Sequence, residues 1–324
     1  MKILVTGGAG FIGSHLVRAL LDRGDEVAVI DDFNDFYDPA LKRGNVAPLL
    51  ENPRFRLHEA DIRDRGRMDS IVEGSRPDAI FHLAARAGVR PSIEAPFLYE
   101  EVNSIGTLAL LEAARRHGVK NFIFASSSSV YGINSKVPFS EDDPITSPIS
   151  PYAATKRAGE LLCHTYSHLY GLPATCLRFF TVYGERGRPD MAVAKFTRKI
   201  WAGEEVEIYG DGSFRRDFTY IGDILDGLLR TLETPRRYEI INLGGSRTVE
   251  VRELVAVIES RLGRKARIRY RPQAPGDVPV TYADVTKARS LLGFEPKVGI
   301  EEGVGRYVEW FLARAAAGGG GEAH

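Results

Sequence analysis

Apolar residues along this chain gather in short runs that do not alternate with polar ones. "KILVT" (2–6), "EVAVI" (26–30), "RFRLHEA" (54–60), "DAIFHLA" (78–84), "NFIFAS" (121–126), "ATCLRFF" (174–180) and "YEIINLG" (238–244) each read as a strand. Such runs are expected where both faces of a strand are covered. Between them the spacing changes to the helical period. Phe11 to Arg23 is amphipathic, Pro96 to His117 is the clearest helix, and another runs from Tyr152 to about Tyr170. Strand alternating with helix predicts an α/β fold, a parallel sheet doubly wound by right-handed crossovers.

The pattern loosens after residue 183. "GERGRPDM" (184–191) and "GDGSFRRDF" (210–218) are loop-like, and the C-terminal part mixes short helices with strands such as "RIRYR". A smaller, interleaved α/β lobe is expected there, lying over the carboxyl ends of the sheet where such folds bind ligands. The expected division is 1–183 plus about 217–244 for the large domain and about 184–216 plus 245–314 for the lobe. Residues 315–324, rich in alanine and glycine, read as a disordered tail. No internal repeat is visible.

The strand ends carry the candidate chemistry. "TGGAGFIG" places Gly7, Gly10 and Gly13 at three-residue intervals between a strand and a helix, with Phe11 and Ile12 opening the helix. Glycines there permit a tight turn and let backbone N–H groups approach a pyrophosphate. A glycine triplet alone also fits a ligand-free turn, but the next strand ends in Asp31. A carboxylate at that place accepts from a ribose diol and repels a 2′-phosphate, which favours NAD over NADP. Two further strand ends continue the cradle: Asp61 and Ile62, with Asp61 suited to an adenine amine, and Leu83, Ala84 and Ala85, small enough for a cofactor to lie against.

"SPYAATKRAGE" sets Tyr152 and Lys156 four residues apart on one helix face. An isolated pair of this kind is usually a helix-surface contact. Beside a nicotinamide cofactor it becomes an acid–base device, because an ammonium next to the phenol favours the phenolate. Tyr152 can then take a carbinol proton while hydride leaves for the cofactor.

Taken together, "TGGAGFIG", "HLAA", "SSSSVYG", "YAATK" and "RDFTYIGDI" resemble the extended short-chain dehydrogenase/reductases over most of the chain. The resemblance implies a Rossmann domain with a small nucleotide-sugar lobe, tightly held NAD, and Asn103 near the active site supporting the lysine or a proton relay. It assigns Ser127 as the hydroxyl bridging the substrate 4-OH and Tyr152; a strand-end serine capping a backbone group is the other reading. Within the family, 4,6-dehydratases carry an Asp-Glu pair before "VYG" and decarboxylases a Glu. Here those places hold Ser128 and Ser129, which cannot do general acid work unaided.

"DDFNDFYDPALKR" (31–43), "AARAGVRPSIEAP" (84–96) and "FFTVYGERGRPDMA" (179–192) are similar to the UDP-glucuronate 4-epimerase subgroup. That likeness implies UDP-glucuronic acid turned into UDP-galacturonic acid by oxidation at C4, rotation of the keto sugar and hydride return. It places Arg188 at the C6 carboxylate, with Ser128, Ser129 and Thr181 completing the grip, Arg216 at the diphosphate and Asp277 near the ribose or uracil. The alternatives are a 4-epimerase of UDP-glucose or UDP-N-acetylglucosamine with Arg188 idle and, further behind, a UDP-glucuronate decarboxylase.

Bulk properties remove other classes. Lys+Arg and Asp+Glu both number 43, so there is no basic excess for a nucleic-acid or membrane partner. Two cysteines and histidines without ligand spacing leave no metal site and no disulfide framework. A cytoplasmic homodimer is expected, pairing the helices at 96–117 and 152–170, which carry apolar residues on more than one face.

Overall fold

The computed structural model describes residues 1–134, 136–272 and 278–317. Asp277 and residues 318–324 of the expected tail lie outside the described residues. Ala315–Ala317, in contrast to the tail expectation, finish the C-terminal helix Ile300–Ala317, as a run of strong helix formers would.

All seven expected strands enter one sheet. In chain order the first six are β1 (Lys2–Thr6), β2 (Glu26–Asp31), β3 (Phe55–Glu59), β4 (Ala79–His82), β5 (Asn121–Ser127) and β6 (Ala174–Phe179). Shorter strands follow: β7 (Thr181–Tyr183), β8 (Glu205–Tyr209), β9 (Arg215–Arg216) and β10 (Phe218–Tyr220). The last sheet strand is β11 (Tyr238–Leu243), and β12 (Val249–Glu250) and β13 (Arg267–Arg271) come after it. The sheet order is β11-β6-β5-β4-β1-β2-β3, with every neighbouring pair parallel. The order reverses between β1 and β4, the switch point where such sheets open a crevice at their carboxyl ends. Residues beyond it make separate two-stranded sheets, β12 with β9 and β13 with β8.

Successive residues of each strand point to opposite faces, and each face has its own core. Ile3 and Val5, Ala79 and Phe81, and Ile123 and Ala125 join one apolar cluster. Leu4, Ile80, Phe122 and Phe124 join the other. This double burial is why the strands read as unbroken apolar runs.

The helix expected at 96–117 is interrupted. Pro96–Tyr99 and Gly106–Arg116 are α-helical, and Glu100–Ile105 between them is a π turn. Such turns are rare and frequent near functional sites; this one presents Asn103. The helix expected from Tyr152 runs Pro151–Tyr170, opened by Pro151 and by Ser150, whose hydroxyl accepts from the Ala153 N–H.

Candidate active site

One cleft runs along the carboxyl edge of the sheet. Gly7, Gly10, Phe11, Ile12 and Gly13 line it after β1, Asp31 at the end of β2, Asp61 and Ile62 after β3, and Leu83, Ala84 and Ala85 after β4. Ser127, Ser128 and Ser129 line it from the end of β5, joined by Tyr152, Lys156, Thr181 and Arg188. Residues scattered over the first two-thirds of the chain thus meet because each ends or follows a parallel strand.

The glycine loop fits a dinucleotide. Gly7 has φ +69°, and a Cβ there would stand 2.8 Å from the Ala84 nitrogen. At Gly13 a Cβ would stand 2.1 Å from the Gly7 carbonyl oxygen. Gly10 caps the helix Phe11–Asp22 without any side-chain bond, so no side chain competes for the first-turn N–H groups that hold an anion. Gly13→Ala is therefore expected to lower the thermal midpoint, by overpacking of about 1–3 kcal/mol, and to release bound dinucleotide. Melting curves and the cofactor content of purified protein check this.

Asp31 is buried and accepts from the N–H groups of Ala9 and Phe33, both at 3.0 Å. Phe33 holds a left-handed φ of 47° to make that turn. Burial pushes the Asp31 carboxyl up, opposed by the Phe33 N–H, the Lys42 ammonium and the Ala9 N–H. Asp61 is already engaged. Arg63 grips both its oxygens at 2.6–3.1 Å and holds the carboxyl below its ordinary range.

Tyr152 and Ser127 line the same end of the cleft, and Ser127 is the polar group that most opposes the effect of burial on the Tyr152 phenol. Ser127 accepts from the Ser129 N–H at 3.1 Å and donates to the Ser129 hydroxyl at 3.2 Å, so it caps the strand end while standing in the cleft beside the tyrosine. Lys156 departs from expectation. Its Nζ donates to the Ala125 carbonyl at 2.7 Å and lies 6.0 Å from the centre of the Tyr152 ring. Burial pushes the Tyr152 phenol above its ordinary value, and the groups that pull against burial are Ser127 and the Arg188 guanidinium. Lys156 therefore does not depress the tyrosine in the protein alone; the lysine itself is lowered by burial to about 8.

Arg188 comes to this end of the cleft from the loop after β7. Asp190 takes its Nε at 2.9 Å and Nη2 at 2.7 Å, and the guanidinium lies 5.3 Å from the Phe36 ring centre. Its Nη1 has no hydrogen-bond partner among the described residues.

Two expected contacts are not brought into the cleft lining. Arg216 sits on β9, where its Nη1 donates to the carbonyls of Arg215 and Pro279. Asn103 spends its amide elsewhere: Nδ2 donates to the Arg86 carbonyl and to Thr155, and Oδ1 accepts from the Arg86 N–H. It clamps Arg86, which lines the cleft, to the helix of Tyr152, and among the described residues it makes no hydrogen bond to Lys156.

Lining residues that the sequence reading does not single out include Phe36, Tyr37, Lys42 and Arg86. Two guanidiniums lie near the Phe36 ring, Arg86 at 6.0 Å and Arg188 at 5.3 Å from its centre. Phe36, Tyr37, Lys42 and Arg86 belong to the segments 31–43 and 84–96, so the signal was a pair of aromatics and a pair of bases inside stretches already singled out.

A strand-end glycine cradle with an acid at the second strand, facing a Ser–Tyr–Lys set, defines a dinucleotide-dependent enzyme of the extended short-chain dehydrogenase/reductase class. The family model described as GDP-mannose 4,6 dehydratase matches residues 4–307, and the chain belongs to that family. A UDP-glucuronate 4-epimerase of Thermodesulfobacterium geofontis (strain OPF15) is 45% identical over 308 residues, 95% of each chain. The crystal structure of UDP-glucuronic acid 4-epimerase from Bacillus cereus in complex with UDP-glucuronic acid and NAD superposes with a TM-score of 0.92 at 38% identity, covering 97% of this chain and 100% of that one. A UDP-glucose 4-epimerase from Thermotoga maritima with UDP-glucose gives 0.90 at 39% identity, covering 97% and 99%. Among the described residues no group of three or more His, Cys, Asp or Glu could hold a metal ion, and no helix is long and apolar enough to cross a membrane.

Proposed function

We propose that this chain is an NAD-dependent 4-epimerase that interconverts UDP-glucuronic acid and UDP-galacturonic acid. One observation carries the reading. Among the described residues, the carboxylates lining the cleft, Asp31, Asp32 and Asp61, sit at or just after the ends of β2 and β3, whereas the lining ionisable groups around β5 are Tyr152, Lys156 and Arg188, the last paired with Asp190. A dehydratase needs an acid and a base beside C5 and C6. This end of the cleft offers a phenol, an ammonium, a guanidinium and the hydroxyls of Ser127, Ser128, Ser129 and Thr181. Relatives that act on the uronate and cover the full chain support the same choice.

When bound, NAD supplies reversible hydride acceptance at C4 of the sugar. The chain's residues move and hold the proton. Tyr152 takes it from the 4-OH, with Ser127 bridging, and returns it after the keto sugar has turned its other face. Ser128, Ser129, Thr181 and Arg188 hold the C6 carboxylate through charge-assisted bonds. A 4-keto uronate is a β-keto acid and loses carbon dioxide when its carboxylate bond stands perpendicular to the ketone plane; a fixed carboxylate prevents that alignment.

The enzyme works as a cytoplasmic homodimer. Support comes from large apolar side chains left outside on the segment 89–116 and on the helix Pro151–Tyr170: Ile93, Phe97 and Ile105 from the first, Leu161 and Leu169 from the second, with Phe97 84% exposed. Light scattering in solution is expected to give twice the chain mass.

The deciding experiment incubates the protein separately with UDP-glucuronate, UDP-glucose and UDP-N-acetylglucosamine and reads the products by NMR. UDP-galacturonate from the first is expected. Turnover of the neutral sugars alone overturns the substrate assignment.

A further inference from the structure

Two hydrogen bonds tie the helix Pro151–Tyr170 to the end of β5. Lys156 donates to the Ala125 carbonyl at 2.7 Å and Glu160 accepts from the Ser126 hydroxyl at 2.6 Å, one turn and two turns after Tyr152, which lines the cleft with Ser127. The three helix residues are four apart and share one face. Glu160 is fully buried, and so, at 1% exposure, is Arg178 on β6, which faces Ser126 in the sheet register. Arg178 grips Glu160 through Nε at 2.8 Å and Nη2 at 3.0 Å, and Arg157 adds a bond at 2.9 Å. Through Nη1 the same arginine donates to the Tyr131 hydroxyl, which donates to Asn242 on β11. Every polar atom of the Glu160 carboxylate is thus aimed by the two strands that end at the cleft.

We propose that Glu160, gripped by Arg178, is a positioning residue for the proton transfer: it fixes the strand end that carries Ser127 against the helix face that carries Tyr152 and Lys156. A buried ion pair is a poor device for stability alone, since apolar residues of similar volume do as well or better. Its place one turn behind Lys156 supplies another reason to keep it. The groups acting on Lys156 are Glu160 and Cys163 from its own helix and His82 from the end of β4. Burial lowers the ammonium, while Cys163 and Glu160 pull it back up. Glu160 keeps its charge because Arg178, Ser126 and Arg157 together outweigh its own burial.

The inference rests on the proton transfer assigned to Tyr152, and the test separates the two. Wild-type turnover of UDP-glucuronate or UDP-glucose is measured first and judges the substrate reading alone. Ser126→Ala then removes the strand anchor and leaves the ion pair, while Glu160→Met with Arg178→Met replaces the pair by apolar side chains. Both variants are expected to retain bound NAD and to lose about 10-fold or more in kcat, with KM within about 3-fold. The double variant should also move the alkaline limb of the kcat profile to lower pH. In both, hydrogen exchange at the backbone amides of Ala125, Ser126 and Ser127 should quicken. Wild-type kcat and pH profile in the double variant overturn the proposal, as does a loss carried by KM. Should the double variant fail to fold, Ser126→Ala decides by the same split.

Discussion

With Tyr152 replaced by phenylalanine, turnover of UDP-sugar falls by about a thousandfold or more while NAD stays bound, the scale of a lost general acid–base group. Neither the buried imidazole of His82 nor the described carboxylates lining the cleft are placed to replace the hydroxyl. His82 is fully buried, held between the hydroxyls of Thr6 and Thr107 at 2.8 and 2.9 Å, and pushed down to about 3 by burial. The described carboxylates lining the cleft, Asp31, Asp32 and Asp61, lie at or just after the ends of β2 and β3, at the far side of the sheet from β5. The ring itself packs edge-on to Tyr99, a contact phenylalanine preserves, so folding should be untouched. Absorbance at 340 nm on mixing with substrate, product NMR and the cofactor content of the purified variant check the three parts separately.

The pH dependence of the wild type follows from Lys156. Burial lowers its ammonium from 10.5 to about 8. The sign is that of a base made weaker: the charged form is present below about pH 8 and lost above it. Arg188 is the cation acting on Tyr152 in the protein alone; with NAD and sugar filling the cleft, the Lys156 ammonium is expected to support the phenolate as well, so kcat should fall as pH rises through about 8. A profile flat to pH 10 contradicts this.

Arg188→Ala is expected to abolish the preference for the uronate. The side chain is 19% exposed, set by two bonds to Asp190, and its charge acts on Tyr152. Truncating one partner of a largely desolvated charge pair costs about 2–5 kcal/mol, roughly 30- to 1,000-fold or more in kcat/KM. UDP-glucose, which offers no carboxylate, should lose far less, and only through Tyr152. The variant should also release pentose, because the keto uronate is no longer kept from the alignment that expels carbon dioxide. Unchanged epimer yield without pentose, read by NMR, would rule out the role given to Arg188.

Most of the sheet was legible because its strands are buried on both faces, which removes alternation and leaves short apolar runs. The cofactor end of the cleft was legible for a related reason. A parallel α/β sheet gathers its ligands at the carboxyl ends, so Gly7, Asp31, Ile62 and Ala84 had only to be read as the residues after each run. The Tyr152–Lys156 spacing was visible as helical periodicity. What lay beyond local pattern was partner choice. Asn103 is near the site as the resemblance implied, but which groups would take its amide depended on where Arg86 and Thr155 ended up. Arg216 stood in a suggestive motif, yet β9 carries it outside the cleft lining. Arg178, a lone cation within "ATCLRFF", did signal a buried partner, and Glu160 on the Tyr–Lys face was available.

From the sequence alone came the strands, their likeness to a known family, and the residues at each strand end, because burial on two faces and backbone geometry at a tight turn are short-range demands written in adjacent residues. Only the tertiary structure decided that Lys156 binds the Ala125 carbonyl, that Arg188 instead of Lys156 is the cation pulling on Tyr152, and that Glu160 closes on Arg178. Those are electrostatic choices among groups distant in the chain, settled by which charges are desolvated together and which hydrogen-bond partner lies within reach once the helix Pro151–Tyr170 has packed against β5.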